Sequence, residues 1–90
     1  MQEVTIVIPN YNGKRLLENC LKTLEQQTYK DFKVLVVDNG SSDGSTEVSS
    51  EKLELEIVSL KENLGFCGAV NLGIQKTKTP YLILLNNDTE

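Results

Sequence analysis

Ninety residues, 39% of them apolar, allow one small domain that buries roughly 60–65% of its unfolded surface, and exclude a multidomain arrangement. Thirteen acids against nine bases leave a net charge of −4, which argues against nucleic acid as the main partner, because neutralising phosphates requires a basic face. No run approaches the roughly 20 apolar residues that span a bilayer, and the N-terminus lacks a basic region before an apolar stretch, so neither a membrane span nor a signal peptide is expected.

In chain order, residues 4–8 (V-T-I-V-I) read as a first strand, spilling into the polar P-N-Y-N-G. Asn12-Gly13 is a turn signal, and Asn12 is placed to cap the helix that follows. Leu16, Leu17, Cys20, Leu21 and Leu24 then form one apolar stripe at helical spacing. Residues 32–37 are a second strand, a wholly apolar run from Val34 that ends in D-N-G-S-S-D-G-S. Such a run, bounded by turn residues, reads as a strand buried on both faces. Asp43 or Ser45 is expected to cap a short polar helix reaching about Ser50. Residues 52–60 alternate, with Leu53, Leu55 and Ile57 against Glu54 and Glu56, as in a strand with one face or edge in water. Residues 66–77 read as a third helix, broken by Gly68 and Gly73. Pro80 opens a fourth strand over residues 81–85 (Y-L-I-L-L), which runs into Asn86, Asn87, Asp88 and Thr89.

The order β-α-β-α-β-α-β implies an α/β fold of the Rossmann-like, doubly wound kind, with a parallel four-stranded sheet and right-handed crossovers. The usual strand order would be 3-2-1-4, with ligands at the carboxyl edge where the order reverses. The polar residues that follow strands one, two and four would then share one site. Histidine is absent, and Cys20 and Cys67 lie far apart, which excludes zinc centres and Ser-His or Cys-His catalysis. Cys20 reads as a small buried hydrophobe, and a reducing, cytoplasmic setting is the default. A dinucleotide fold would need Gly-x-Gly-x-x-Gly after strand one, where this chain has P-N-Y-N-G-K-R; no Gly-Lys-Ser/Thr of a P-loop occurs.

Four blocks in order, V-T-I-V-I-P-N-Y-N-G, Q-Q-T-Y-K-D-F-K-V-L-V-V-D-N-G-S-S-D-G-S, N-L-G-F-C-G-A-V-N-L-G-I and Y-L-I-L-L-N-N-D-T-E, resemble glycosyltransferase family 2, the nucleotide-sugar-dependent enzymes of the GT-A fold. The N-N-D-T-E ending looks most like the branch that includes rhamnosyl- and related deoxysugar transferases. The resemblance implies that Pro9, Asn10 and Tyr11 line a nucleoside pocket and that Asp38 matches the first acid of the family's pair after strand two. Asn39 stands where the second acid, often the one reaching uracil, is found; UDP and dTDP are then equally plausible. Asn86, Asn87 and Asp88 occupy the Asp-x-Asp motif, with Asn87 in place of an acid at the nucleotide site and Asp88 expected to hold Mg2+ or Mn2+. Such a cation bridges the diphosphate and stabilises the charge of the leaving group as a Lewis acid. Gly65, Gly68 and Gly73 allow close approach of backbone or ligand, Gly65 at the nucleotide.

In that family the base that takes the acceptor's proton lies well downstream of the metal motif, and the 90 residues hold no match to it. The chain is therefore expected to be the nucleotide-binding half of an inverting transferase, binding a UDP- or dTDP-sugar but not catalytic alone. The contrasting expectation is a small non-catalytic module, kept for interaction or as a folding unit, whose site is empty. Strand four carries no charge and would have further strands beside it in a full transferase, so a homodimer joined along residues 81–85 is also expected.

Overall fold

The computed structural model describes residues 3–27 and 31–86. Its elements run β1 (Val4–Asn10), α1 (Lys14–Glu25), β2 (Phe32–Asp38), a single 3-10 turn (Ser45–Glu47), β3 (Leu55–Ser59), α2 (Gly65–Lys76) and β4 (Tyr81–Leu84). The four strands form one parallel sheet in the order β3-β2-β1-β4, the order expected. β1 and β2 sit at its centre and are buried along nearly their whole length. Their Val- and Ile-rich runs belong there, because a strand covered on both faces has no place for alternating polar residues.

Strand alternation divides the core in two. On one face, Ile6, Ile8, Phe32, Val34 and Val36 pack against Leu17, Leu21 and Leu24 of α1. On the other, Val7, Leu35 and Val37 pack against Ala69 of α2. Gly73 belongs to this second contact: a Cβ built there would lie 2.5 Å from Val7 Cγ1. α2 is thereby held closer to the sheet than any side chain at that position would permit. Cys20 lies half-buried against the first core, and burial raises its thiol pKa.

Several local expectations are corrected. α2 is one continuous 12-residue helix, not one broken at Gly68 and Gly73, because close packing on the sheet offsets the roughly 1 kcal/mol that a glycine costs a helix interior. The polar helix after β2 shrinks to the 3-10 turn ending at Glu47, with Gly44 rather than Asp43 or Ser45 at its N-cap. It has only Ser45 to bury, too little apolar surface to carry more turns. Asn12 does not cap α1; the N-cap is Gly13, and Asn12 adopts a left-handed φ of 50° with its side chain turned to the next loop. β3 begins at Leu55 rather than residue 52.

The two edges differ. β3 carries the exposed Glu56, paired with Lys33 at 3.8 Å. Tyr81, Ile83 and Leu84 of β4 are exposed; among the described residues, β4 pairs with β1 alone. Among the described residues, no helix is long and apolar enough to cross a membrane.

Candidate nucleotide-binding site

The register aligns Asn10 with Asp38 at the carboxyl ends of the central strands. Asp38 is fully buried, and its carboxylate is held by three donors. Asn10 Nδ2 donates to Oδ1 at 2.9 Å, Ser41 Oγ donates to Oδ1 at 2.7 Å, and the Ser41 amide donates to Oδ2 at 2.9 Å. Charge-assisted bonds of this kind are what make a buried carboxylate tolerable. Ser41 Oγ also accepts the Asn12 amide at 2.7 Å, while Asn12 Oδ1 accepts the Ser42 amide at 2.8 Å. The loops after β1 and β2 are thus zipped together by the side chains of Asn12 and Ser41.

Asp43 extends the same seam. Its Oδ2 accepts the Lys14 amide at 3.0 Å, so the first turn of α1 is capped from the neighbouring loop. Its Oδ1 accepts the amide of Ser45 and, in a short bond, the Ser45 hydroxyl. The Ser45 hydroxyl bond, followed by the Lys14 amide, lowers the Asp43 pKa below its ordinary value.

Asn39 follows Asp38 and turns to the opposite side of the sheet. Its amide continues the ladder to the Asn10 carbonyl at 2.8 Å. Its side chain meets the turn that leads into α2: Oδ1 accepts the Leu64 amide at 3.1 Å, and Nδ2 donates to the Gly65 carbonyl at 3.2 Å. Gly65 takes a φ of +79°, a conformation that suits glycine.

Between these elements lies a cleft of about 300 Å3, lined by Pro9, Asn10, Tyr11, Asn39, Asn63, Gly65, Phe66 and Asn86. It opens where strand order reverses between β1 and β4, the place where open α/β sheets bind ligands. Pro9, Asn10, Tyr11, Asn39 and Gly65 are brought together there. Asp38 lies behind them, buried. Asn87 and Asp88 are outside the described residues. Among the described residues no group of three acids, cysteines or histidines could hold a metal ion by itself. Asn63 and Phe66 were missed by the sequence reading. The available signal was an aromatic residue directly after a glycine turn, left half-exposed beside the equally exposed Tyr11.

The profile of glycosyl transferase family 2 matches residues 5–90. The chain is 30% identical over 95 residues to the teichoic acid poly(glycerol phosphate) polymerase of Staphylococcus epidermidis, a match covering 100% of this chain and 13% of that protein. It is 37% identical over 91 residues to glycosyltransferase AglE of Haloferax volcanii, covering 94% of this chain and 30% of AglE. Among solved structures, the mannosyltransferase PcManGT of Pyrobaculum calidifontis, in complex with GDP-Man and Mn2+, superposes with a TM-score of 0.84 at 28% identity. That superposition covers 96% of this chain and 27% of PcManGT. S. aureus TarS 1–349 in complex with UDP superposes with a TM-score of 0.87 at 24% identity, over 98% of this chain and 28% of that one, which is a likeness of fold. The chain spans less than a third of the length of each of these relatives. Because the family match runs through all four strands and is not confined to one motif, the chain belongs to glycosyl transferase family 2.

Proposed function

We propose that the chain binds the nucleoside diphosphate of a sugar donor, with a divalent cation, as the donor-binding part of an inverting glycosyltransferase. The observation that carries this reading is the cleft at the carboxyl edge of β1, β2 and β4, flanked by two half-exposed aromatic rings, Tyr11 and Phe66. A planar ring of either kind offers a stacking face for a nucleobase. Pro9, Asn10, Tyr11, Asn39 and Gly65 would form the nucleoside wall, with Asp38 fixing Asn10 from behind. Asn87 would lie at the diphosphate, and Asp88 would hold Mg2+ or Mn2+, which supplies Lewis-acid stabilisation of the departing diphosphate. One protein carboxylate is compatible with such an ion, since Mg2+ is commonly bound by one or two carboxylates plus phosphate oxygens and water. PcManGT, with GDP-Man and Mn2+, is a relative of the same fold that supports this pairing of ligands.

The donor would be a UDP- or dTDP-sugar, met in the cytoplasm. Transfer by these 90 residues alone is not expected. Asp38, at the end of β2, is fully buried and bonded to Asn10 and Ser41, which keeps it away from a sugar hydroxyl. The open edge of β4 would take a second copy of the chain.

Titration with UDP, dTDP and GDP, with and without Mn2+, tests the binding. Amide resonances of residues 9–12, 38–43 and 63–66 are expected to shift, with tighter binding in Mn2+ that Asp88→Asn removes. Silence of those resonances for every nucleotide would favour the contrasting reading, a non-catalytic module with an empty cleft.

A further inference from the structure

We infer that Asn39 is a positioning residue, which holds the turn before α2 in place as the far wall of the cleft and does not itself read the nucleobase. The inference rests on the nucleotide-binding reading above. It begins from burial: Asn39 lines the cleft but is only 4% exposed, so little of its surface is open to a base. What the carboxamide does instead is pair with main chain, as a peptide group would. It presents one acceptor to the Leu64 amide and one donor to the Gly65 carbonyl. No other side chain of this length supplies a donor and an acceptor side by side. Aspartate could accept from the Leu64 amide, but its second oxygen would face the Gly65 carbonyl with no hydrogen between them.

The turn it holds has little else to fix it by packing. Leu64 is 50% and Phe66 52% exposed, so neither side chain is anchored in the core. Gly65 is at a φ of +79°, and its amide is satisfied within the turn by Asn63 Oδ1 at 2.7 Å. Releasing the Asn39 bonds therefore frees the Phe66 side of the cleft without disturbing β1, β2 or the Asp38 seam.

The test pairs Asn39→Ala with Asn39→Asp and reads two quantities. In the free protein, hydrogen exchange at the Leu64 amide is expected to accelerate roughly tenfold in Asn39→Ala, the scale set by loss of one part-buried hydrogen bond. Amides of Val34 to Val37 are expected to keep their wild-type rates. In titrations, both variants are expected to lose affinity for UDP, dTDP and GDP by a common factor, again about tenfold. Gly65→Ala strains the same turn, since its Cβ meets nothing within 4 Å but its φ disfavours any L side chain. Its effect is expected to be less than additive with that of Asn39→Ala. Unchanged exchange at Leu64 would overturn the inference. So would a loss confined to one nucleotide, which is the mark of a direct base contact. If the wild-type chain binds no nucleotide, the binding reading fails, while the exchange measurement still decides whether Asn39 holds the turn.

Discussion

Asp43 joins two loops through three donors while its own side chain stays exposed to water. At the N-terminus of α1 it satisfies an amide that would otherwise lack a partner, and its charge is favourably placed against the helix dipole. Because its folded pKa is lowered, its contribution to stability is complete above the ordinary value of 3.8 and is lost as pH falls through the folded value. Thermal melting of the wild type and of Asp43→Asn should therefore differ most near neutral pH and converge under acid conditions. Other carboxylates add their own acid sensitivity, so the difference between the two profiles is the quantity to follow. Profiles that stay parallel down to about pH 2 would mean that the charge on Asp43 is not what holds the loops.

At the scale of elements, the contact of α2 with the sheet turns on Gly73. Alanine is the better helix former by about 1 kcal/mol, which alone would make Gly73→Ala stabilising. The opposing effect is overpacking, commonly about 1–3 kcal/mol, and here the Cβ would fall 2.5 Å from Val7 Cγ1, in the middle of a central strand that cannot retreat. Overpacking should win. Gly73→Ala is expected to lower the urea midpoint, and Val7→Ala, a buried truncation that also removes the clashing methyl, should cost less in the Gly73→Ala background than in the wild type. A stabilised Gly73→Ala would show that α2 moves away from the sheet at little cost. The Thr77 hydroxyl, which donates to the Gly73 carbonyl at 2.7 Å, marks the last turn whose displacement would be seen.

At the scale of the whole molecule, the two edges of the sheet differ among the described residues. β3 has Glu56 beside Lys33, and surface charge of this kind discourages pairing even though the ion pair itself contributes about 0–1 kcal/mol. β4 offers Tyr81, Ile83 and Leu84 to solvent. Beside it, on the α1 face, lies an apolar hollow of about 280 Å3 lined by Val4, Ile6, Leu24, Gln27, Phe32, Ile83 and Leu85. An exposed apolar edge of this kind invites pairing with another chain. Sedimentation of the 90-residue chain over a range of concentrations is expected to show self-association, with two-fold symmetry and antiparallel pairing of β4. A strict monomer at high concentration, with freely exchanging amides at residues 81–85, would show that the edge is tolerated bare.

The apolar runs of β1 and β2 and the polar residues after them carry the fold in local form. Period, run length and turn residues therefore sufficed to predict the parallel sheet, its order 3-2-1-4 and the edge at which the cleft opens. Linked blocks over nearly the whole chain were enough to indicate its family. The partners that tie separate loops together were not legible, because each lies 25 or more residues away. Asp43 was read as a cap for its own helix and caps α1 instead. Asn12 was read as a cap and holds Ser42, and Asn39 reaches Leu64 and Gly65. Glycines 68 and 73 were read as breaks, since propensity is local, whereas Gly73 sits in an unbroken helix whose approach to Val7 is a tertiary contact. Hydrogen-bond partners at strand tips depend on which loops the crossovers bring together, and that is decided only when the sheet has formed.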